Sequence, residues 1–480
     1  MNNNNASRGH FLLINPWIVD FAAFDFWAKP VGLLKIAQAL RSSGYQISFL
    51  DCLDRLYPDL PKFKRNKSTV YGTGHYYKEI VPRPDILNHI PRRLGRYGVP
   101  YERVDAYLRS IRKPDAIFIT SGMTYWYPGI RDLVLLLRKH FGSTPIILGG
   151  VYATLCTEHA LKHTGVDRVV SGPGVQVSIQ IADEITGSAS SNSSSELIWP
   201  AYDLYPKLES VAITGSYGCP YRCPFCASHL LAPYFQRREP QDVVDEIIHW
   251  HQTREVLNFA FYDDALLWKK DQHLIPILNL VHERKMPLYF HTPNGLHPKY
   301  IDAYLAKLMF ETGFRTLRLS YESRNPERQN EMGGKVTDLA LETAVSILKN
   351  AGFDATMISS YVLMGLPGQT LAEIIDSILF VLGLQIPVSL ASFSPIPGTQ
   401  SWLEAVEKGG IARDADPLLT NNSIYPLCTN SAIRAQLENI RALTNEANLT
   451  IKKGKNPFAE TQLMDSFHEI IKSYGKIAIS

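Results

Sequence analysis

The chain has 480 residues, enough for two or three domains, and its 45% hydrophobic and 20% charged residues are the balance of a globular protein. A formal net charge of +3 is too small to argue for a nucleic-acid partner, and no apolar run approaches the roughly 18 residues that would suggest a membrane span. Met1-Asn2-Asn3-Asn4-Asn5 has neither a basic n-region nor an apolar h-region, so no signal peptide is expected, and unpaired, clustered cysteines fit a reducing cytoplasm.

From residue 11 an apolar strand followed by an amphipathic helix recurs. The first strand is Phe11-Leu12-Leu13-Ile14, running into Asn15-Pro16. Over 30–40, Val31, Leu33, Leu34, Ile36, Ala37 and Leu40 fall at helical spacing, and Gly44 stops the helix. Further strands are expected at 46–50, 115–120, 144–148 and 167–170, with helices near 130–140, 155–163 and 175–185. Such alternation implies an α/β fold, a doubly wound parallel sheet of the Rossmann-like kind, with ligands at the carboxyl ends of its strands. Two of those ends carry glycines: Gly149-Gly150, and Gly172-Pro173-Gly174. Each either lets backbone approach a ligand ahead of a helix or makes a tight strand–helix turn. No GxGxxG follows the first strand, so a dinucleotide is not favoured. Residues 52–101 form an insertion rich in Lys, Arg, Pro and Tyr, either a lid that includes His75 or a surface excursion packed by its own tyrosines. His159 and His163, four apart with no third ligand evident, read as a solvated helix face. A Ser-rich linker at 187–197 closes this first domain, 1–186.

The second domain, 198–410, alternates on a longer period. Strands are expected at 210–214, 257–262, 287–291, 315–320, 357–363 and 388–393, with helices near 240–254, 271–284, 298–311, 337–351 and 370–383. These make six β/α units. The rest, 411–480, reads as a small helical region with helices over 434–448 and 467–474, and Tyr425 and Cys428 just upstream either face a substrate or are buried.

Three of the six cysteines lie together, Cys219, Cys223 and Cys226, at CxxxCxxC spacing just after the apolar run Val211-Ala212-Ile213-Thr214. Zinc usually takes four ligands in closely spaced pairs, and no second pair exists. Three thiolates suit a 4Fe–4S cluster with one iron left without a protein ligand. A zinc knuckle or a chance cluster is the alternative. Cys52, Cys156 and Cys428 are isolated and read as small buried hydrophobes.

The spacing, with the aromatic Phe225 before the third cysteine, resembles the signature of the radical S-adenosylmethionine (SAM) superfamily. That resemblance implies a partial (β/α)6 TIM-like barrel with its chemistry at the carboxyl ends of the strands. It implies that Cys219, Cys223 and Cys226 ligate the cluster, that the open iron binds the amino and carboxylate groups of SAM, and that one electron then cleaves SAM. The later strand ends match in order over about 210–400. In Phe261-Tyr262-Asp263-Asp264, Asp263 or Asp264 would accept from the SAM ammonium, or Asp264 would cap the next turn. Asn294 in Thr292-Pro293-Asn294-Gly295 would line the pocket, and Glu322 in Ser320-Tyr321-Glu322-Ser323 would lie near the SAM ribose or amino acid. Gly365 opens the turn Met364-Gly365-Leu366-Pro367-Gly368-Gln369, where backbone can approach closely.

The first domain resembles the cobalamin-binding domain that precedes the radical SAM domain in one branch of the superfamily. The matching stretches are 30–34 with Gly44 and Asp51, then 149–153, then 167–174. This implies cobalamin near Gly149, Gly150, Gly172 and Gly174. The DxHxxG of the wider cobalamin family is absent, so no lower ligand to cobalt is assigned, and a domain that binds nothing stays open. The combined expectation is a cytoplasmic cobalamin-dependent radical SAM methyltransferase acting on an unactivated carbon. The alternatives are a radical rearrangement or cyclisation without methyl transfer, or a non-catalytic iron–sulfur module. Its partners would be a small-molecule or peptide substrate and an electron donor such as flavodoxin or ferredoxin, with neither nucleic acid nor membrane.

Overall fold

β1 (His10–Asn15) has no exposed side, because Phe11, Leu12, Leu13 and Ile14 are all fully buried. A strand buried on both faces belongs inside a parallel sheet. In the computed structural model, which describes residues 8–61, 68–188, 198–332, 334 and 336–479, it does. β1 pairs in parallel with β2 (Gln46–Asp51) on one side and β3 (Ala116–Ile119) on the other. Beyond β3 lie β4 (Ile146–Leu148) and β5 (Arg168–Val169), giving the order β5-β4-β3-β1-β2. The direction of winding reverses between β1 and β3, which leaves a crevice at their carboxyl ends. Helices Val31–Ser42 and Val175–Thr186 pack on the sheet through Leu33, Ala37, Leu40, Ile179 and Ala182.

Several elements differ from expectation. Helix Tyr101–Ser110 supplies the crossover between β2 and β3; it buries only Val104, Asp105 and Leu108, too narrow a stripe to stand out among its charges. The helix expected at 155–163 is two, Val151–Leu155 and Thr157–His163, broken at Cys156. The insertion is not a separate excursion: Gly95–Tyr97 and Lys78–Ile80 build a three-stranded antiparallel sheet with Ile18–Asp20, and Gly74–His75 pairs with Phe24–Asp25. A buried Arg55–Asp25 ion pair of 2.9 Å holds it to the strand Phe24–Asp25. Cys52 and Cys428 are buried and Cys156 half-buried, and burial pushes the Cys156 thiol up to about 12.

The expected linker, 187–197, lies almost wholly outside the described residues. The segment after it belongs with the first sheet: Ala201 sits in its core, and the Tyr205 hydroxyl donates to Asp51 over 2.5 Å. The first compact unit accordingly runs to Val211 and also takes in Asp416–Leu419, where Asp416 accepts from the Tyr127 hydroxyl at 2.9 Å.

The second unit covers Ala212–Ala415 and Thr420–Ser480. Its sheet contains β6 (Ser210–Ile213), β7 (Asn258–Phe261), β8 (Tyr289–His291), β9 (Phe314–Glu322), β10 (Ile358–Met364) and β11 (Val388–Ser392), in that spatial order. Sequential order with right-handed crossovers puts every helix on one face. The opposite face is then an inner one, as in a partial barrel. β9 and β10 show it by alternation. Leu317, Leu319, Tyr321, Ile358, Ser360 and Val362 are buried, whereas Arg318, Ser320, Glu322, Ser359, Tyr361 and Leu363 stay half-buried. Helices Ser431–Lys452 and Thr461–Tyr474 are longer than expected and pack on this same unit. Asn448 bonds both the N–H and the C=O of Val388 at 2.8 Å, so the start of the edge strand β11 is covered.

Candidate active site

After β6 the chain turns through Gly215 into a short hairpin, Ser216–Tyr217 against Gln236–Arg237, and the cysteine loop is what this hairpin encloses. Asp263, just past β7, fixes the neck. Its Oδ2 accepts from the Gly215 N–H at 3.0 Å and its Oδ1 from the Ser216 hydroxyl at 2.5 Å. The residue is only 3% exposed, and burial raises its carboxyl to about 6 against those two bonds. Through both oxygens Asp263 positions the neck of the loop. Gly218 (φ +74°) makes the next turn, where a Cβ would stand 2.6 Å from the Tyr234 carbonyl.

Within the loop the Cys226 N–H donates to the Cys223 carbonyl at 3.0 Å. The Ser228 hydroxyl and N–H lie 3.2 and 3.5 Å from Cys226 Sγ. None of the three forms a disulfide; Cys223 is buried and the other two are half-buried. Among the described residues no three His, Cys, Asp or Glu side chains converge on a single ion. Zinc in a closed site takes four ligands, whereas a 4Fe–4S cluster takes one thiolate at each of three irons and leaves one open, so a set of three thiolates fits the cluster. Tyr221, between the first two cysteines, has its hydroxyl raised well above its ordinary range by burial, by the Tyr300 hydroxyl and by the neighbouring thiols.

The remaining strand ends converge around this loop. Asp264 is exposed yet surrounded by protein atoms, so desolvation raises its carboxyl while a hydrogen bond from Ser228 opposes the rise. Ser228 therefore stands between Asp264 and Cys226. Asn294 Nδ2 donates to the carbonyls of Tyr262 (3.0 Å) and Asp263 (3.3 Å), tying the end of β8 to that of β7. Glu322 ends β9 in a left-handed conformation (φ +68°), where the register against β10 slips. Such a backbone costs on the order of 1–3 kcal/mol for a residue with a side chain. It turns Glu322 towards a small hollow shared with Phe225 of the cysteine loop, Gln329 and Met332. Gly365 (φ +97°) begins the turn after β10, whose Gly365 and Leu366 N–H groups donate to Gln369 Oε1 at 2.9 and 3.1 Å. Open space lies where its Cβ would be. A cavity of about 670 Å³ also borders Phe225 and is lined by the Arg328–Glu373 ion pair, Leu366 and Glu404.

Arg318 and Tyr361 were not singled out from sequence. Arg318 donates to the Tyr361 hydroxyl at 2.8 Å, which donates to the Pro293 carbonyl at 2.7 Å, so a polar chain runs from the inner face to the end of β8. The sequence signal for it is the alternation Thr316, Arg318, Ser320, Glu322 in β9 and Ser359, Tyr361 in β10.

In the first unit the glycines divide into two kinds. A Cβ on Gly150 (φ +94°) would lie 2.6 Å from the Ser121 carbonyl, and one on Gly174 would lie 3.2 Å from Ile36, so both positions serve packing. Gly149 has nothing nearer than 3.9 Å and Gly172 nothing within 4 Å, so their faces are open. The Ser121 hydroxyl donates to the Gly149 carbonyl at 2.6 Å and ties the ends of β3 and β4 together. Asp51 at the end of β2 is buried, accepts from Asn15, Leu53 and Tyr205, and has its carboxyl raised by desolvation. His159 is half-buried, contrary to a solvated face: Tyr152 meets its Nδ1 at 2.6 Å and its ring stacks on exposed His163.

Residues 213–381 match the model of the Radical SAM superfamily. The chain carries a radical SAM domain. It begins at the last residue of β6 and takes in the cysteine loop and the ends of β7 through β10. An uncharacterised methyltransferase of Pyrococcus horikoshii is 23% identical over 327 residues, covering 61% of this chain and 70% of that protein. The cytidylyl-2-hydroxyethylphosphonate methyltransferase of Streptomyces wedmorensis is 21% identical over 450 residues, covering 79% of this chain and 78% of its own. Among solved structures, the radical SAM methyltransferase TsrM from Kitasatospora setae, with cobalamin and a [4Fe-4S] cluster bound, is alike in fold. Its TM-score is 0.61 at 17% identity, over 84% of this chain and 78% of that one. The fold of the radical SAM domain and of the sheet before it is therefore shared with that enzyme.

Proposed function

We propose that the protein is a cobalamin-dependent radical SAM methyltransferase acting on an unactivated carbon of a small molecule or peptide. The observation that carries the reading is the cysteine loop: three thiols outside any disulfide after β6, its neck clamped by buried Asp263, with Asp264, Asn294 and Glu322 around it. Two curated relatives that are methyltransferases support the transfer of methyl. When bound, the cluster with SAM supplies one-electron bond cleavage, and cobalamin supplies a methyl carrier. Cys219, Cys223 and Cys226 hold the cluster. Asp264 accepts from the ammonium of SAM, Glu322 accepts from its hydroxyls, and the open turn at Gly365 lets backbone come close. Cobalamin lies at the carboxyl ends of β1 and β3–β5, against the open faces of Gly149 and Gly172. The electron comes from a carrier such as flavodoxin or ferredoxin, and the enzyme works in the cytoplasm. Among the described residues no helix is long and apolar enough to cross a membrane.

The test is anaerobic reconstitution with iron, sulfide and hydroxocobalamin, then gel filtration. The protein is expected to retain one 4Fe–4S cluster and one corrinoid, and to turn SAM into 5′-deoxyadenosine under dithionite. Alanine at all three cysteines removes the cluster and the product; a full cluster in that variant would overturn the assignment. Deoxyadenosine without bound corrinoid would leave a rearrangement or cyclisation. Intact SAM would leave an iron–sulfur module.

A further inference from the structure

Tyr221 is the centre of an aromatic cluster that the radical chemistry does not use. Its ring lies 5.6 Å from Trp268, just past β7, and 4.6 Å from His297, just past β8. Its hydroxyl meets that of Tyr300 at 2.5 Å, and Tyr300 in turn lies 6.2 Å from Trp268. Two separate loops thus bring rings onto a residue set between Cys219 and Cys223. Lys299 spans the top, with Nζ 5.1 Å from the Tyr300 ring and 5.8 Å from the Tyr221 ring, while remaining exposed. Lys269, beside Trp268, and Arg222, beside Tyr221, are exposed as well. The nearby acids Asp271 and Asp302 are exposed and share the single buried cation Lys270, which offsets one of their two charges. Counting Lys299, Lys269, Arg222 and Lys270 against Asp264, Asp271 and Asp302, the patch keeps a small net positive charge.

We propose that this surface, with Lys299 and Lys269 around Trp268, Tyr300 and Tyr221, docks an acidic one-electron carrier protein and passes its electron to the cysteine loop. The proposal rests on the cysteine loop being the cluster site. Two facts favour a carrier over packing alone. Rings in contact from the surface to the loop leave no wide gap for an electron to cross. Exposed lysines around an aromatic centre also suit a weak, electrostatically steered encounter, the usual kind for electron-transfer partners. In the step, the reduced carrier loses one electron and the cluster gains one; no bond is made or broken and no proton is needed.

The test uses the reconstituted full chain and purified flavodoxin. Binding of oxidised flavodoxin is followed by calorimetry at low salt, and cluster reduction by flavodoxin hydroquinone is followed by stopped-flow bleaching. Lys299→Glu with Lys269→Glu is expected to weaken binding and slow reduction on the order of tenfold, with the gap closing as salt rises. Iron content and the rate of bleaching by dithionite stay at wild-type values. Lys299→Gln, which keeps the stem over the rings, is expected to show a smaller loss of the same kind. Equal flavodoxin binding and equal flavodoxin-driven rates in wild type and variants at low salt would overturn the proposal. A wild type that takes up no cluster would instead fail the underlying reading, and the calorimetric comparison of the same proteins still decides the surface.

Discussion

Asp263 and Asp264 are adjacent in sequence and opposite in circumstance. Asp263 spends both oxygens on Gly215 and Ser216, while Asp264 is exposed and shares only Ser228. Asp263→Ala would leave a buried N–H and a buried hydroxyl without their acceptor, a cost of roughly 2–4 kcal/mol. It is expected to lower both the urea midpoint and the iron retained after reconstitution. Asp264→Asn is expected to keep the iron and weaken SAM binding, as read by equilibrium dialysis. The pair was legible as a motif, but which member faces inward depends on Gly215, 48 positions away in the chain, and no local pattern encodes that. Asp54 offers a check by pH. Burial raises its carboxyl to about 6, above the ordinary value near 4, so the folded state binds this proton more tightly than the unfolded chain. The stability it contributes is present below about pH 4 and lost as pH rises through 6. Asp54→Asn does not titrate, so it is expected to gain on wild type by up to about 3 kcal/mol between pH 4 and 7, measured by urea unfolding.

At the scale of elements, the turns after β4 and β5 separate glycines needed by the fold from glycines facing open space. Gly150→Ala sets a Cβ against Ser121 backbone in a left-handed conformation and is expected to cost about 2–4 kcal/mol. Gly149→Ala meets nothing and is expected to stay within about 0.5 kcal/mol of wild type, while lowering the corrinoid that survives gel filtration. From sequence the four glycines looked alike, since spacing reports where a turn is and not what lies opposite it. Strands were legible where they are apolar throughout, as β1 is, and helices where a broad stripe is buried. Helix Tyr101–Ser110 escaped notice because only one side of it touches protein. Arg318 and Tyr361 escaped because no motif marks them; they are functional candidates only once β9 and β10 are seen to share an inner face.

For the whole molecule, the alternation of strand and helix implied the doubly wound sheet of the first unit, whereas the sequential sheet of the second was expected only from the resemblance carried by its cysteine loop. A reversed order in one and a sequential order in the other are both compatible with the same local pattern, because pairing between strands is non-local. The unit boundary shifted for a similar reason. Tyr205 and Ala201 look like the start of the second domain until Asp51 and the first core claim them. Asp416, far along the chain, belongs to the first unit through Tyr127. A protein ending at Val211 lacks that acceptor for a buried hydroxyl. It is expected to unfold in urea with about 1–3 kcal/mol less stability than the first unit shows within the full chain.

Ser228 has a single hydroxyl hydrogen and two claimants, Cys226 Sγ at 3.2 Å and the Asp264 carboxylate. It can donate to only one at a time. Neutralising Asp264 frees that hydrogen for sulfur, and withdrawing negative charge from the sulfur returns it to the carboxylate. One rotatable bond therefore lets the carboxylate and the thiolate sense each other without touching.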